Sequence, residues 1–217
     1  MRRGAAVAVW VGPKSGDRKS PCLAKEAGYG APGEKRGTRT ADESTSLRAA
    51  ARRTRYGMGM DISWLNDARD RRTDRIGVGG GIWHAENMAK VAEAGVTHII
   101  NMQIEVEDEV TLAAAHNIEA LWNGTHDDFE PKPASLFQCG VEFALEALDK
   151  PDSKLLIHCA AGVHRAPMMA LAVLGSMGWN LEDAMQLIED KRSVVDFAEV
   201  YVESVERFLR ERVKPLR

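Results

Sequence analysis

The chain has 217 residues, 44% of them hydrophobic, and a formal net charge of −3 at pH 7. This length and composition allow one sizeable domain with its own core. No apolar run approaches the ~18 residues that a membrane-spanning helix requires, so such a span is excluded. The three cysteines, Cys22, Cys139 and Cys159, are scattered and show no spacing typical of zinc ligands.

The charge is divided unevenly along the chain. Residues 1–57 contain 13 Lys and Arg against 5 Asp and Glu, a net of +8, so residues 58–217 carry 16 against 27, a net of −11. The first segment has few large aliphatic residues and no sustained periodicity, which predicts a basic disordered tail. Two alternatives stay open: translation begins at Met58 or Met60 and the upstream stretch is mis-annotated, or this segment is a targeting sequence. Patterned sequence begins after Met60, so the domain is predicted to occupy residues 58–217.

Strand and helix patterns alternate through the rest of the chain. The predicted strands are short and apolar and cover residues 76–83, 97–102, 118–122 and 155–158. The predicted helices cover residues 85–94, 107–116, 134–149, 167–177 and 198–212, and one more begins after the N-cap residue Asn180. Such alternation predicts an α/β fold with a mostly parallel central sheet and helices on both faces.

The most informative segment is a strand, loop and helix that follow one another between Leu155 and Pro167. Cys159 comes at the carboxyl end of the strand, where open α/β sheets bind ligands. A loop of this length can wrap its backbone N–H groups around one tetrahedral oxyanion, and Gly162 can supply the unusual backbone angles. The helix N-terminus adds positive potential, and Arg165 can hold two oxygen atoms in a bidentate fork. The same field predicts that Cys159 is a thiolate nucleophile. The loop residues predicted to surround the substrate are Ala160, Ala161, Gly162, Val163 and His164.

The pattern His158-Cys159 followed five residues later by Arg165 resembles the signature of the protein tyrosine phosphatase superfamily. More narrowly, residues 75–209 resemble an atypical dual-specificity phosphatase. The resemblance implies a cysteine-phosphatase-like fold and hydrolysis of phosphomonoesters without a metal or cofactor. In that chemistry Cys159 attacks phosphorus to form a cysteinyl phosphate, while Arg165 and the loop amides hold the equatorial oxygens.

The resemblance also implies a general acid. The family carries an aspartate about thirty residues before the nucleophile, which protonates the leaving oxygen and then activates water. Spacing counted without gaps from Leu136 to Cys159 places Asp127 at this position, with Asp128 beside it as the second candidate. Taken alone, two aspartates in a loop are ordinary turn chemistry.

Two features depart from the family pattern. Ala166 replaces the usual Ser or Thr, so it cannot donate a hydrogen bond to the thiolate, and we hypothesise slower breakdown of the phosphoenzyme. The stretch from Arg192 to Val195 lacks the usual Pro-Asn after it, and Arg192 is predicted to be structural. These departures favour the alternative function, a catalytically weak or inactive phosphate-binding interaction module. A rhodanese-like sulfur transferase is disfavoured by the position of Gly162.

The substrate is the most open question. Phosphotyrosine and phosphoserine or phosphothreonine in proteins are the family default, and small phosphomonoesters, lipid phosphates and RNA phosphates are alternatives. The neutral residues Ala160, Ala161 and Val163 lack the lysines that suit a polyphosphorylated inositol. An acidic domain disfavours nucleic acid and anionic membranes. We therefore expect a phosphorylated protein as partner and a cytoplasmic location, where a reactive thiol stays reduced; the oligomeric state is not predicted.

Overall fold

A computed structural model of the chain describes residues 61–105 and 113–212. The predicted tail, residues 1–57, and most of the predicted helix 107–116 lie outside these residues. A five-stranded sheet with the order β1-β2-β5-β3-β4 forms the centre of the described part. Its strands are β1 Ile62–Trp64, β2 Ile76–Gly79, β3 His98–Gln103, β4 Glu119–Thr125 and β5 Leu155–His158. Only β1 pairs antiparallel, so the predicted mostly parallel sheet is confirmed.

Helices cover both faces of this sheet, as predicted. A short 3₁₀ helix, Arg71–Arg75, precedes β2, and the longer helices of the described residues are α1 Ala85–Glu93, α2 Ala134–Leu148, α3 Arg165–Ser176, α4 Leu181–Lys191 and α5 Glu199–Arg212. Neighbouring strand residues point to opposite faces. Ile100 and Ile157 therefore join the core under α2, α3, α4 and α5, whereas Ile99 and Leu156 join a smaller core under α1.

Strand β5 lies at the middle of the sheet, and Cys159 directly follows its carboxyl end. It pairs in parallel with β2 on one side and β3 on the other, and all four of its residues are buried. The carboxyl ends of these strands meet at His158, which is in register with Gly79 and Asn101. The chain leaves the sheet immediately after, as the sequence predicted.

Several element boundaries differ from the predictions, and three of the differences lie close to the cysteine and its loop. The strand predicted over residues 76–83 ends at Gly79, because the N–H of Gly81 donates to the carbonyl of Ala160 at 3.1 Å instead of extending the ladder. Strand β4 continues to Thr125, three residues beyond its predicted end. Helix α3 begins at Arg165 rather than Pro167, since proline is tolerated in the first turn, where its missing N–H has no helical partner.

Candidate active site

The cysteine loop, residues 159–165, folds back over the sulfur of its first residue. Cys159 is a free thiol that is 2% exposed, and the N–H of Gly162 donates to its Sγ at 3.3 Å. Gly162 has a φ of +67°, and a Cβ at this position would lie 2.6 Å from the carbonyl oxygen of Gly79. The site therefore requires glycine for both its backbone conformation and its space.

Arg192 holds this loop in place through hydrogen bonds to its backbone. Its guanidinium is 3% exposed and donates to the carbonyls of Gly162 at 2.8 Å and Ala161 at 3.1 Å. Its remaining nitrogen pairs with Asp61 at 3.0 Å and donates to Ser63 at 3.3 Å. Arg192 thus contacts the backbone of the cysteine loop, which is consistent with the structural role predicted for it.

Arg165, the first residue of α3, has its guanidinium held at Nη1, whereas Nε on the other edge has no hydrogen-bond acceptor among the described residues. The side chain is 3% exposed, and its Nη1 is held by the carbonyl of Thr125 at 3.1 Å and by Glu105 at 3.0 Å. Among the described residues its buried Nε has no hydrogen-bond acceptor. A buried N–H without an acceptor costs about 1–3 kcal/mol, so this edge is suited to an oxyanion.

Glu105 fixes the other edge of Arg165. Partial burial acts to raise the pKa of Glu105, but the hydrogen bond from Arg165, a backbone hydrogen bond and the nearby positive charges together outweigh it and leave the pKa below its usual value. Glu105 is thus a carboxylate at neutral pH and orients the guanidinium. Sequence reasoning did not find this residue, because it lies 60 residues before Arg165 and no motif marks it.

The acid loop, residues 126–133, follows β4 and brings Asp127 to the cysteine loop. Oδ2 of Asp127 lies 3.5 Å from Nε of Arg165 and 3.2 Å from Nδ1 of His164. The hydroxyl of Tyr201 on α5 donates to the other oxygen, Oδ1, at 3.2 Å. The structure therefore assembles Asp127, Arg165 and His164 in one place.

Asp128 points away from this cluster and is engaged elsewhere. It forms an ion pair with Lys132, whose side chain is 4% exposed, and accepts the N–H of Glu130 at 3.1 Å. Partial burial acts to raise the pKa of Asp128, but the hydrogen bonds to its carboxylate and the positive charge of Lys132 together outweigh it and hold the pKa below its usual value. The two aspartates, adjacent in sequence, thus have different surroundings.

The remaining predicted residues occupy the rim or the interior. Ala160, Val163 and His164 are partly exposed and Ala161 is exposed, so these four residues of the cysteine loop reach the surface. The others are buried and include His158, Ala166 and Cys139, the last in α2 at 5% exposure. Sequence reasoning missed Tyr201 and Lys132; the buried face of α5, with a hydroxyl on it at Tyr201, was the available signal.

A mostly parallel sheet that ends in a cysteine–arginine loop, with a carboxyl group above the loop, defines the protein tyrosine phosphatase superfamily. The comparison with known proteins identifies a family within this superfamily. The family model "Dual specificity phosphatase, catalytic domain" matches residues 81–209, more than half of the chain, and the chain belongs to that family. No helix of the described ranges is long and apolar enough to cross a membrane.

Curated relatives share the catalytic region at modest identity. Dual specificity protein phosphatase 5 of Rattus norvegicus is 26% identical over 117 residues, 54% of this chain and 29% of the relative. Dual specificity protein phosphatase 26 of Mus musculus is 29% identical over 127 residues, 51% of this chain and 53% of the relative. The chain therefore spans about half or less of the length of these relatives.

Solved structures show the same fold. A crystal structure of PTPMT1 aligns with a TM-score of 0.58 at 21% identity, over 70% of this chain and 95% of that one. Human DUSP28 aligns with a TM-score of 0.55 at 19% identity, over 64% of this chain and 93% of that one. At these identities the likeness establishes the architecture alone.

Proposed function

We propose that the chain hydrolyses phosphomonoesters through a cysteinyl-phosphate intermediate on Cys159. The observation that carries the proposal is the buried Nε of Arg165, which lacks a hydrogen-bond acceptor among the described residues and faces the Asp127 carboxyl at 3.5 Å. A phosphate oxygen supplies the missing acceptor. The cysteine loop then supplies the nucleophile and the groups that bind the phosphate, and the acid loop supplies the general acid.

The first step transfers the phosphoryl group to sulfur. The Cys159 thiolate attacks phosphorus in line, and the N–H of Gly162, which points at Sγ, stabilises its negative charge. Arg165 and the backbone amides of the loop hold the equatorial oxygens, where charge is concentrated in the transition state. Glu105 and the carbonyl of Thr125 keep the guanidinium in place, so little reorganisation accompanies binding.

Asp127 serves as acid and then as base. It protonates the leaving oxygen as the P–O bond breaks, and it accepts a proton from the water that later attacks the phosphocysteine. The environment of Asp128 supports this assignment, because its carboxylate is paired with Lys132 and its lowered pKa makes it a poor proton donor.

We propose phosphorylated proteins as the substrate class. Asp196 is exposed beside His164, and the acid loop adds the exposed Glu130, so the surroundings repel polyanions such as nucleic acid or anionic lipid surfaces. Phe129 is 54% exposed and contacts the ring of His164 edge to face at 5.2 Å, which offers an apolar surface beside a phosphorylated side chain. A nucleophilic thiol also needs a reducing compartment, for which we propose the cytoplasm.

One observation favours a second function, a phosphate-binding module that turns over slowly or not at all. Ala166 is fully buried behind the cysteine loop and has no hydroxyl to offer the thiolate. Such a module would form the phosphoenzyme, or bind phosphate, without releasing it.

Release of inorganic phosphate separates the two functions. The full chain is assayed with 4-nitrophenyl phosphate in the presence of EDTA and a thiol reductant, beside Cys159→Ser. Activity that survives EDTA and is lost in Cys159→Ser supports the enzyme, whereas a folded chain that retains phosphopeptides without turnover supports the module. Phosphopeptides compared with vesicles carrying PI(5)P, the ligand present in one PTPMT1 crystal structure, then test the substrate class.

A further inference from the structure

The hydroxyl of Tyr201 is shared between two groups of the acid loop. Tyr201 is 1% exposed, and its oxygen accepts the N–H of Phe129 at 3.0 Å and lies 3.2 Å from Oδ1 of Asp127. A backbone N–H can only donate, so the hydroxyl acts as the acceptor toward Phe129. Its single proton is then directed to Asp127, and Oδ1 is the accepting atom of that bond.

The second oxygen of the same carboxyl has different neighbours. Oδ2 of Asp127 lies 3.5 Å from Nε of Arg165 and 3.2 Å from Nδ1 of His164. His164 is in turn 3.5 Å from Asp196 through its other ring nitrogen. Oδ1 therefore faces helix α5, and Oδ2 faces the cysteine loop where a phosphate would bind.

We propose that Tyr201 is a positioning residue that holds the Asp127 carboxyl with Oδ2 toward the leaving oxygen. The inference rests on the proposed phosphatase function and assigns the transferred proton to one atom. As Sγ of Cys159 bonds to phosphorus and the P–O bond breaks, the proton on Oδ2 passes to the leaving oxygen. In the second step Oδ2 takes a proton from water while the water oxygen bonds to phosphorus and the P–S bond breaks.

The surroundings of Tyr201 keep its hydroxyl a donor and keep its ring in place. Burial, together with the nearby Asp127 carboxylate, raises the pKa of Tyr201 above its ordinary value, so the hydroxyl stays protonated at neutral pH. Its ring stacks on Phe129 with the centroids 5.9 Å apart. Phe129 has a φ of +57°, a strained conformation for a bulky residue, and its hydrogen bond to Tyr201 helps to hold the acid loop in that shape.

Leaving groups of different basicity test this role. Nitrophenolate departs with little need of a proton, whereas phenolate needs one, so phenyl phosphate reports on the acid and 4-nitrophenyl phosphate largely does not. Tyr201→Phe keeps the ring and removes the hydroxyl. Because general acids contribute about 10²–10⁴-fold, we expect Tyr201→Phe to lower kcat/KM for phenyl phosphate by ~10-fold or more and for 4-nitrophenyl phosphate by less than ~3-fold.

Two comparisons separate positioning from support of the fold. Ser204 lies one turn further along α5 and accepts the N–H of Lys132 at 3.0 Å, so it ties the same loop to the same helix without touching Asp127. Ser204→Ala should leave the ratio of kcat/KM for the two substrates unchanged. In an Asp127→Asn background, Tyr201→Phe should cause no further selective loss, because the group it positions is already disabled.

An equal loss with both substrates in Tyr201→Phe, or an unchanged ratio of the two kcat/KM values, overturns the inference. The same holds if the selective loss persists in the Asp127→Asn background. A wild-type chain that releases no phosphate, or a Cys159→Ser variant that still does, instead overturns the proposed function, and the inference falls with it.

Discussion

Replacement of Gly162 by alanine tests whether the cysteine loop is as tightly constrained as the structure indicates. The residue has a φ of +67°, and an alanine Cβ would lie 2.6 Å from both the carbonyl oxygen of Gly79 and Nη2 of Arg192. An L-residue in this left-handed conformation costs about 1–2 kcal/mol before any clash is counted. The carbonyl of Gly79 belongs to β2, which is paired on both sides, so the loop rather than the strand must move.

Gly178 provides a matched control for the backbone strain. It has a φ of +97° in the turn after α3, and a Cβ there would meet nothing within 4 Å. Gly178→Ala should therefore lose about 1–2 kcal/mol of stability, a fall in Tm of roughly 2–8 °C, and keep its activity. Gly162→Ala should lose at least as much stability and also displace the N–H that donates to Sγ of Cys159.

The assay is kcat/KM for 4-nitrophenyl phosphate beside thermal unfolding of both variants. A displaced loop also misplaces the backbone amides proposed to hold the equatorial oxygens, where charge develops in the transition state. Loss of one oriented donor to such a charge costs about 10²–10³-fold in rate, so we expect kcat/KM of Gly162→Ala to fall by at least ~10²-fold while that of Gly178→Ala stays near the wild type. Gly162→Ala with the wild-type kcat/KM, or an equal loss of activity in both variants, refutes the reasoning from loop geometry.

Three further predictions concern the same site. Asp127→Asn should lower kcat/KM for phenyl phosphate by about 10²-fold or more, and Asp128→Asn by less than ~3-fold, which leaving-group assays on both variants measure. Because the bonds to Asp128 hold its pKa below its ordinary value, that carboxylate stabilises the fold above about pH 4 and the contribution is lost as the pH falls further. Asp128→Asn should thus lower Tm at neutral pH and flatten the acid limb of a plot of Tm against pH; an unchanged acid limb contradicts this. Ala166→Ser should raise kcat by restoring a donor to the thiolate, and an unchanged or lower kcat in steady-state assays contradicts that hypothesis.

The sequence by itself determined the local parts of this protein. The run of residues from Leu155 to Pro167 predicted a buried strand, a loop and a helix, and all three are present, because each depends on neighbours along the chain. The N-cap at Asn180 is confirmed by its bond from the N–H of Glu182 at 2.8 Å. The alternation of strands and helices likewise predicted the mostly parallel sheet. The assignment of Cys159, Arg165 and Asp127 to catalysis stays a proposal that the geometry supports.

Only the tertiary structure decided which distant groups surround that loop. Glu105 reaches Arg165 across 60 residues, Tyr201 reaches Asp127 across 74, and Asp61 reaches Arg192 across 131. The edge strand β1 was not predicted, since three residues carry too little pattern to distinguish a strand from a loop. Asp127 and Asp128 are adjacent and chemically identical, so the spacing along the sequence favoured Asp127 but could not show how their surroundings differ. The fold does so, because the path of the acid loop turns one carboxyl toward Arg165 and pairs the other with a buried lysine.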